Sequence, residues 1–163
     1  MARLVLTDAS PLIGLARVDG LCWLQPLFGV VWMPAEVNAE VLGGFGTPDE
    51  QAISQAIAAG WLAVCGPTPD LPELPELDEG ETACIRIAVA HAGPSLLVMD
   101  ERLGRAIATE NGLLVTGTAA VIGMARVRGL IPNAKEVFAR LHASDFRISA
   151  AVIDAILRRV GEG

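Results

Sequence analysis

The chain has 163 residues, 52% of them apolar and 19% charged, with a formal net charge of −7. That balance supplies a buried core and excludes a disordered chain. No apolar run approaches the roughly 18–20 residues of a membrane span, and the first residues lack the basic, apolar, small-residue order of a secretion signal. The expectation is one cytoplasmic domain over residues 1–163, with no membrane partner.

Taken in chain order, "RLVLT" (3–7) reads as a short buried strand that ends on Asp8, followed by "ASPLIGLARV" as a turn into a helix. "VVWMP" (30–34) is a second strand, and "PAEVNAEVLGG" a helix that starts at Pro34 and stops at Gly43. "TPDEQAISQAIAAG" has Thr47 as N-cap, Pro48 at the first helical position, Glu50 closing a capping box and Gly60 as the stop. A third strand, "WLAVC" (61–65), precedes "GPTPDLPELPELDEG" (66–80), whose four prolines and acids predict an extended connector. "DEGETACIRIAVAHAG" predicts a helix capped by Asp78 and stopped at Gly93. "SLLVMD" (95–100) and "LLVTG" (113–117) complete five strands, each followed by a helix. Two further helices, near 133–143 and 149–160, end the chain. Apolar strands alternating with helices predict a three-layer α/β/α fold around a central, mainly parallel sheet of about five strands.

In such sheets ligands collect beyond the carboxyl ends of the strands. Asp8 and Asp100 both end strands there, although Asp at such a place equally suits a helix N-cap. On the helix that starts near Asp78, Glu81 shares the buried stripe with Cys84, Ile85, Ala88 and Val89, whereas Glu79 turns to the polar side. Its competing role is the third residue of a capping box. Glu40 lies on the margin of its helix's apolar face, and Glu36 is turned outward. Two carboxylates about 4 Å apart repel by about 4 kcal/mol at an effective dielectric near 20. Four acids at one rim therefore point to a cation, and all-oxygen donors suit Mg²⁺ or Mn²⁺.

The charge is unevenly spread. Residues 67–101 hold one Arg against eight acids, whereas residues 102–159 hold nine basic residues against four acids, all but Lys135 being Arg. Arg102 and Arg105 lie one turn apart just beyond Asp100, placed for phosphate or for a solvated helix face. Arg126 and Arg128 end a helix, where the helix dipole explains them. Cys22, Cys65 and Cys84 have no ligand spacing and are expected as reduced core residues, and with only His91 and His142 a zinc site is not expected. Trp23, Trp32 and Trp61 stand in apolar stretches and are expected in the core.

These residues carry a resemblance. "VLTDASPLIGLARV", "MPAEVNAEVL", "LDEGETACIRIA", "LLVMDERLGRAIA" and "LLVTGTAAVIGMARVRGLI" resemble, in order and spacing, the motifs of PIN-domain ribonucleases. The likeness is to the prokaryotic branch filed as a domain of unknown function (DUF3368-like) and related to VapC-type toxins. The resemblance implies a Mg²⁺- or Mn²⁺-dependent endoribonuclease, with Asp8, Glu40, Glu81 and Asp100 as catalytic and metal-binding acids. Glu101, where many relatives have Asp, is a further metal candidate. Asp100 or Glu81 would orient or deprotonate the attacking water. Ser10, Arg102, Arg105 and Thr118 would meet the RNA substrate. It also implies a homodimer and a small antitoxin partner.

Two other classes compete. One is a catalytically silent module of the same fold, held by an antitoxin-like partner, in which the acids are caps. The other is a phosphohydrolase or phosphotransfer domain. "TDASPL" lacks the second Asp two residues after Asp8 that one such class uses, and no Gly-rich phosphate loop follows the first strand.

Overall fold

The computed structural model describes residues 3–163. Five strands, β1 (Leu4–Thr7), β2 (Val31–Met33), β3 (Leu62–Val64), β4 (Ser95–Val98) and β5 (Leu114–Thr116), form one sheet in the order β3-β2-β1-β4-β5. Every pairing is parallel. The helices are α1 (Ala9–Arg17), α2 (Leu24–Phe28), α3 (Ala35–Val41), α4 (Pro48–Ala58), α5 (Glu79–Ala90), α6 (Arg102–Glu110), α7 (Thr118–Val127), α8 (Ala134–Ala143) and α9 (Ala150–Arg159). The expected three-layer α/β/α architecture is what the chain adopts. Among the described residues no helix is long and apolar enough to cross a membrane.

The central strands are short because each is buried on both faces. Leu6, Leu97 and Met33 are sealed within the sheet, with Leu12, Ile53, Ile85 and Ile122 closing over it from the helices. The edges depart from the expectation of strands buried throughout. Leu114 on β5 is exposed, and so is Trp32 on β2, against its expected place in the core; Trp23 is buried and Trp61 half-buried. Among the cysteines only Cys84 is buried, Cys65 being half-buried and Cys22 exposed, and all three are free. The short helix α2 and the 3₁₀ turn before it (Leu21–Trp23) have no counterpart in the sequence reading. Five residues with Pro26 among them are too few to show a helical period.

Local capping differs in one place. Thr47 accepts from the Glu50 amide, as expected, but the Glu50 side chain turns to the amides of Phe45 and Gly46 and leaves the box open. Near the end of the chain, Glu162 accepts from the Ala134 amide at 2.7 Å and the Lys135 amide at 3.1 Å, at the N-terminus of α8. It also pairs with Arg126 at 3.3 Å. So Arg126, expected to serve the helix dipole, is an ion-pair partner. Burial opposes the Glu162 charge, but these two amides and the Arg126 charge outweigh it and hold the carboxyl below its usual range. Because this cap satisfies two otherwise open amides, Glu162→Ala should lower stability by about 1–2 kcal/mol. Thermal melting at neutral pH checks this, and an unchanged midpoint would remove the cap from the account.

Sheet order places the functional rim. β1 lies between β2 and β4, so the chain leaves β1 toward one side of the sheet and β4 toward the other. The crevice at that reversal is where open parallel sheets take their ligands. Thr7 is in register with Val98, and the Asp8 amide donates to the Val98 carbonyl at 3.0 Å. Asp8 directly after β1, and Asp100 separated from the end of β4 by Met99, thus reach neighbouring points of one rim.

Candidate active site

Beyond that rim opens a cleft of about 1660 Å³, and Asp8, Glu40, Glu81 and Asp100 all line it. Ser10, Glu101, Arg102 and Arg105 line it too, so every residue expected at the site faces this cleft except Thr118.

Asp8 stands at the N-cap position of α1, but its carboxylate makes no capping hydrogen bond. It is buried, and the lost hydration pushes its carboxyl from 3.8 to about 6. The Ala9 amide opposes the shift, and the charges of Asp78, Glu40 and Asp100 add to it. A buried acid left out of its cap is what a ligand role requires and what a purely structural role does not explain.

Glu81 does both jobs. Its backbone amide donates to Asp78 Oδ1 at 2.8 Å and its Oε1 accepts from the Asp78 amide at 3.4 Å, a complete capping box. Its Oε2 is buried with no hydrogen-bond partner. It lies against Gly104 of α6, where a Cβ would run into it. Burial, then the nearby Asp78 charge, raises the Glu81 carboxyl from 4.5 to about 7. Burial and Asp78 also raise the more exposed Glu40.

Gly80 explains how the acids approach. A Cβ there would meet Asp8 Oδ1 at 2.8 Å and Glu40 Oε2 at 3.5 Å. A Cβ at the start of α5 would thus crowd the Asp8 carboxylate, whereas Glu40 would be in ordinary contact with it.

Asp100 is held from the next loop. The Thr118 amide donates to Oδ1 at 2.7 Å, the Thr118 hydroxyl donates to Oδ2 at 2.7 Å, and the Ser10 hydroxyl reaches Oδ2 at 3.4 Å. Asp100 therefore caps α7, not the helix that follows it in sequence. Thr118 is fully buried behind it. Its expected place against the substrate is corrected by this burial: it positions Asp100. Removing the hydroxyl in Thr118→Val should weaken Mn²⁺ binding about tenfold, with Thr118→Ser restoring it, as calorimetry can measure. Arg105 donates to the Met99 carbonyl at 3.0 Å, and Arg102 projects into solvent at the cleft mouth.

Three residues at the cleft escaped the sequence reading. Asp78, taken there only as an N-cap, lines the cleft, and its charge is the first carboxylate acting on Asp8, Glu40 and Glu81. Its place beside Gly80–Glu81 was the available signal. Arg147 and Arg159 enter from the far end of the chain. For them only the basic C-terminal half gave a hint.

The family model DUF3368, described as PIN domain, matches residues 4–162. The chain belongs to the PIN-domain family. Among curated proteins and solved structures, none matches it. PIN domains are in general nucleases that use divalent metals, and the residues at this cleft fit such an ion in kind. The donors are carboxylates without His or Cys, Glu81 Oε2 is an orphaned buried oxygen, and Gly80 gives the Asp8 carboxylate its space. Among the described residues, no three Asp, Glu, His or Cys side chains converge closely enough to ligate one ion as they stand.

Proposed function

We propose that this PIN-domain protein is a Mg²⁺- or Mn²⁺-dependent endoribonuclease, the toxin-like member of a toxin–antitoxin pair acting in the cytoplasm. The observation that carries the reading is a buried, uncapped Asp8 beside three more acids in one cleft at the sheet's reversal point. Asp8, Glu40 and Asp100 would hold the ion, directly or through its bound waters, with Glu81 and Glu101 within the same cleft. When bound, the ion supplies Lewis acidity toward the phosphodiester and the attacking water.

The chain's own residues do the rest. Glu81, its carboxyl raised to about 7, is matched to accepting a proton from water near neutral pH. Thr118 and Ser10 keep Asp100 oriented. Arg102 and Arg105 stand on α6 for the phosphates on either side of the scissile bond. A homodimer and a small antitoxin partner belong to the same proposal.

A second reading has its own support. Glu81 is engaged in a capping box and Asp100 caps α7, so both acids also have structural work in an interaction module without catalysis. Incubation of labelled structured and unstructured RNAs with Mn²⁺, Mg²⁺ or chelator separates the two. Metal-dependent cleavage lost in Asp8→Asn and Asp100→Asn supports the nuclease. Cleavage that survives both substitutions rejects this site, and absence of both cleavage and metal binding leaves the interaction module.

A further inference from the structure

Gly117 is bare for a reason that its backbone does not give. It precedes α7 with φ −137° and ψ 178°, extended backbone that any residue adopts. A Cβ there would nonetheless meet Arg105 Nη1 and Asp100 Oδ1 at 2.8 Å each, and the Met99 carbonyl at 3.5 Å. A side chain of α6, a carboxylate of the rim and the backbone just after β4 are thus gathered on one Cα. Among the described residues Arg105 makes no ion pair, so the two charged ends share the glycine without touching.

Arg105 reaches this point through helix geometry. It lies in the first turn of α6, its amide donating to the Glu101 carbonyl at 3.0 Å, and side chains on a helix lean back toward the N-terminus. The guanidinium therefore returns over the turn that begins α6 and donates to the Met99 carbonyl at 3.0 Å. The Met99 amide is already engaged, donating to the Thr116 carbonyl at 2.8 Å, and its side chain is sealed in the core. With Arg105 in place Met99 is fixed at side chain, amide and carbonyl. Asp100 is the next residue, so a fixed peptide before it limits the directions its carboxylate can take. Thr118 and Ser10 hold that carboxylate itself, and Arg105 holds the backbone that carries it.

We propose that Arg105 is a positioning residue, which clamps the Met99–Asp100 peptide beside Gly117 and so aims Asp100 into the cleft. This role is separate from contact with a phosphate, and its consequence for metal rests on the nuclease reading. The sign of that consequence distinguishes a clamp from charge alone. Removing a positive charge beside a cation site should tighten the bound cation, because like charges repel. Removing a clamp should weaken it, because a loosened carboxylate must be ordered again on binding.

The test follows the Thr118 amide, whose hydrogen bond to Asp100 Oδ1 reports where the carboxylate stands. In metal-free protein its hydrogen exchange, read by NMR, should quicken several-fold in Arg105→Ala. Gly117→Ala, in which a Cβ displaces both charged ends and Arg105 is kept whole, should do the same. Calorimetry without RNA should show Mn²⁺ held about tenfold more weakly by each variant. Both changes loosen one group, so the double variant should be little worse than either alone. Melting curves on the same preparations show whether each variant is folded, and either variant that folds carries the decision. Unaltered Thr118 exchange, or Mn²⁺ bound as tightly as by the wild type or more tightly, overturns the clamp. Wild-type protein that neither binds Mn²⁺ nor cleaves RNA removes the nuclease, and the exchange rates then decide the clamp by themselves.

Discussion

Asp8→Asn is expected to abolish metal-dependent cleavage and, in metal-free protein, to raise the melting temperature. The first effect follows from losing an anionic donor at the rim, for which a fall of at least ~10²-fold in kcat is expected. The second follows from the titration of Asp8. In the unfolded chain this acid ionises near 3.8, and in the fold near 6, because burial strips its water and Asp78, Glu40 and Asp100 stand close. Between these values the folded state keeps a proton that the unfolded state has released. Stability therefore falls as pH rises through this window, and above it the ionised carboxylate costs on the order of 3 kcal/mol. Glu81, raised from 4.5 to about 7, has the same sign and carries the decline to neutral pH.

Metal-free wild-type protein should thus melt higher at acid pH than at neutral pH, the midpoint falling progressively from about pH 4 toward pH 8. Asp8→Asn should flatten that profile and gain roughly 5–10 °C at about pH 8. Mn²⁺ should recover the loss in wild-type protein far more than in the variant, since metal binding requires the deprotonated acids. A destabilised Asp8→Asn at neutral pH would mean that Asp8 serves chiefly as a cap, a role for which it makes no hydrogen bond.

Gly104→Ala is expected to impair activity while leaving the fold intact. Gly104 is buried on α6, and a Cβ there would run into Glu81 Oε2 and lie 2.8 Å from the Met99 sulfur. Both obstacles are ends of side chains, so the protein can absorb the methyl group by moving them. The better helix propensity of Ala, up to about 1 kcal/mol, opposes the overpacking cost of about 1–3 kcal/mol. Net stability should change little. Glu81, however, must leave the place where Gly104 admits it, and cleavage should fall by more than ~10-fold with weaker metal binding. Cleavage and melting measured on the same preparation decide the matter. Full activity with raised stability would show an ordinary helix glycine and an unconstrained Glu81.

The fold was legible in the residues themselves because its signals are local. Five apolar runs bounded by Gly, Pro and Asp, each followed by helical periodicity, predict a covered parallel sheet without knowledge of any long-range contact. Asp8 and Asp100 at strand ends follow from the same pattern. Glu81 followed from helical phase, its neighbours Cys84, Ile85 and Ala88 being buried with it, although Val89, expected on the same stripe, is exposed. What local pattern does not carry is who meets whom. Thr118 resembles a substrate contact in the sequence, and only the crossing of the β5–α7 loop behind Asp100 makes it a buried positioning group. Asp78 reads as a cap and no more until the fold sets its charge against three other acids.

The arginines show the limit most plainly. Arg126 and Arg147 have the same chemistry and both lie in the basic half of the chain. One is neutralised by Glu162, which lies far along the chain and also caps α8. The other faces the acid cleft without a partner. Residue type and spacing determined the fold and the set of acids, because strand, helix and cap propensities act over a few residues. Burial, pairing and the meeting of Arg147 and Arg159 with the acids in one cleft were decided by tertiary structure, because solvation and Coulomb forces depend on distance in space and not along the chain.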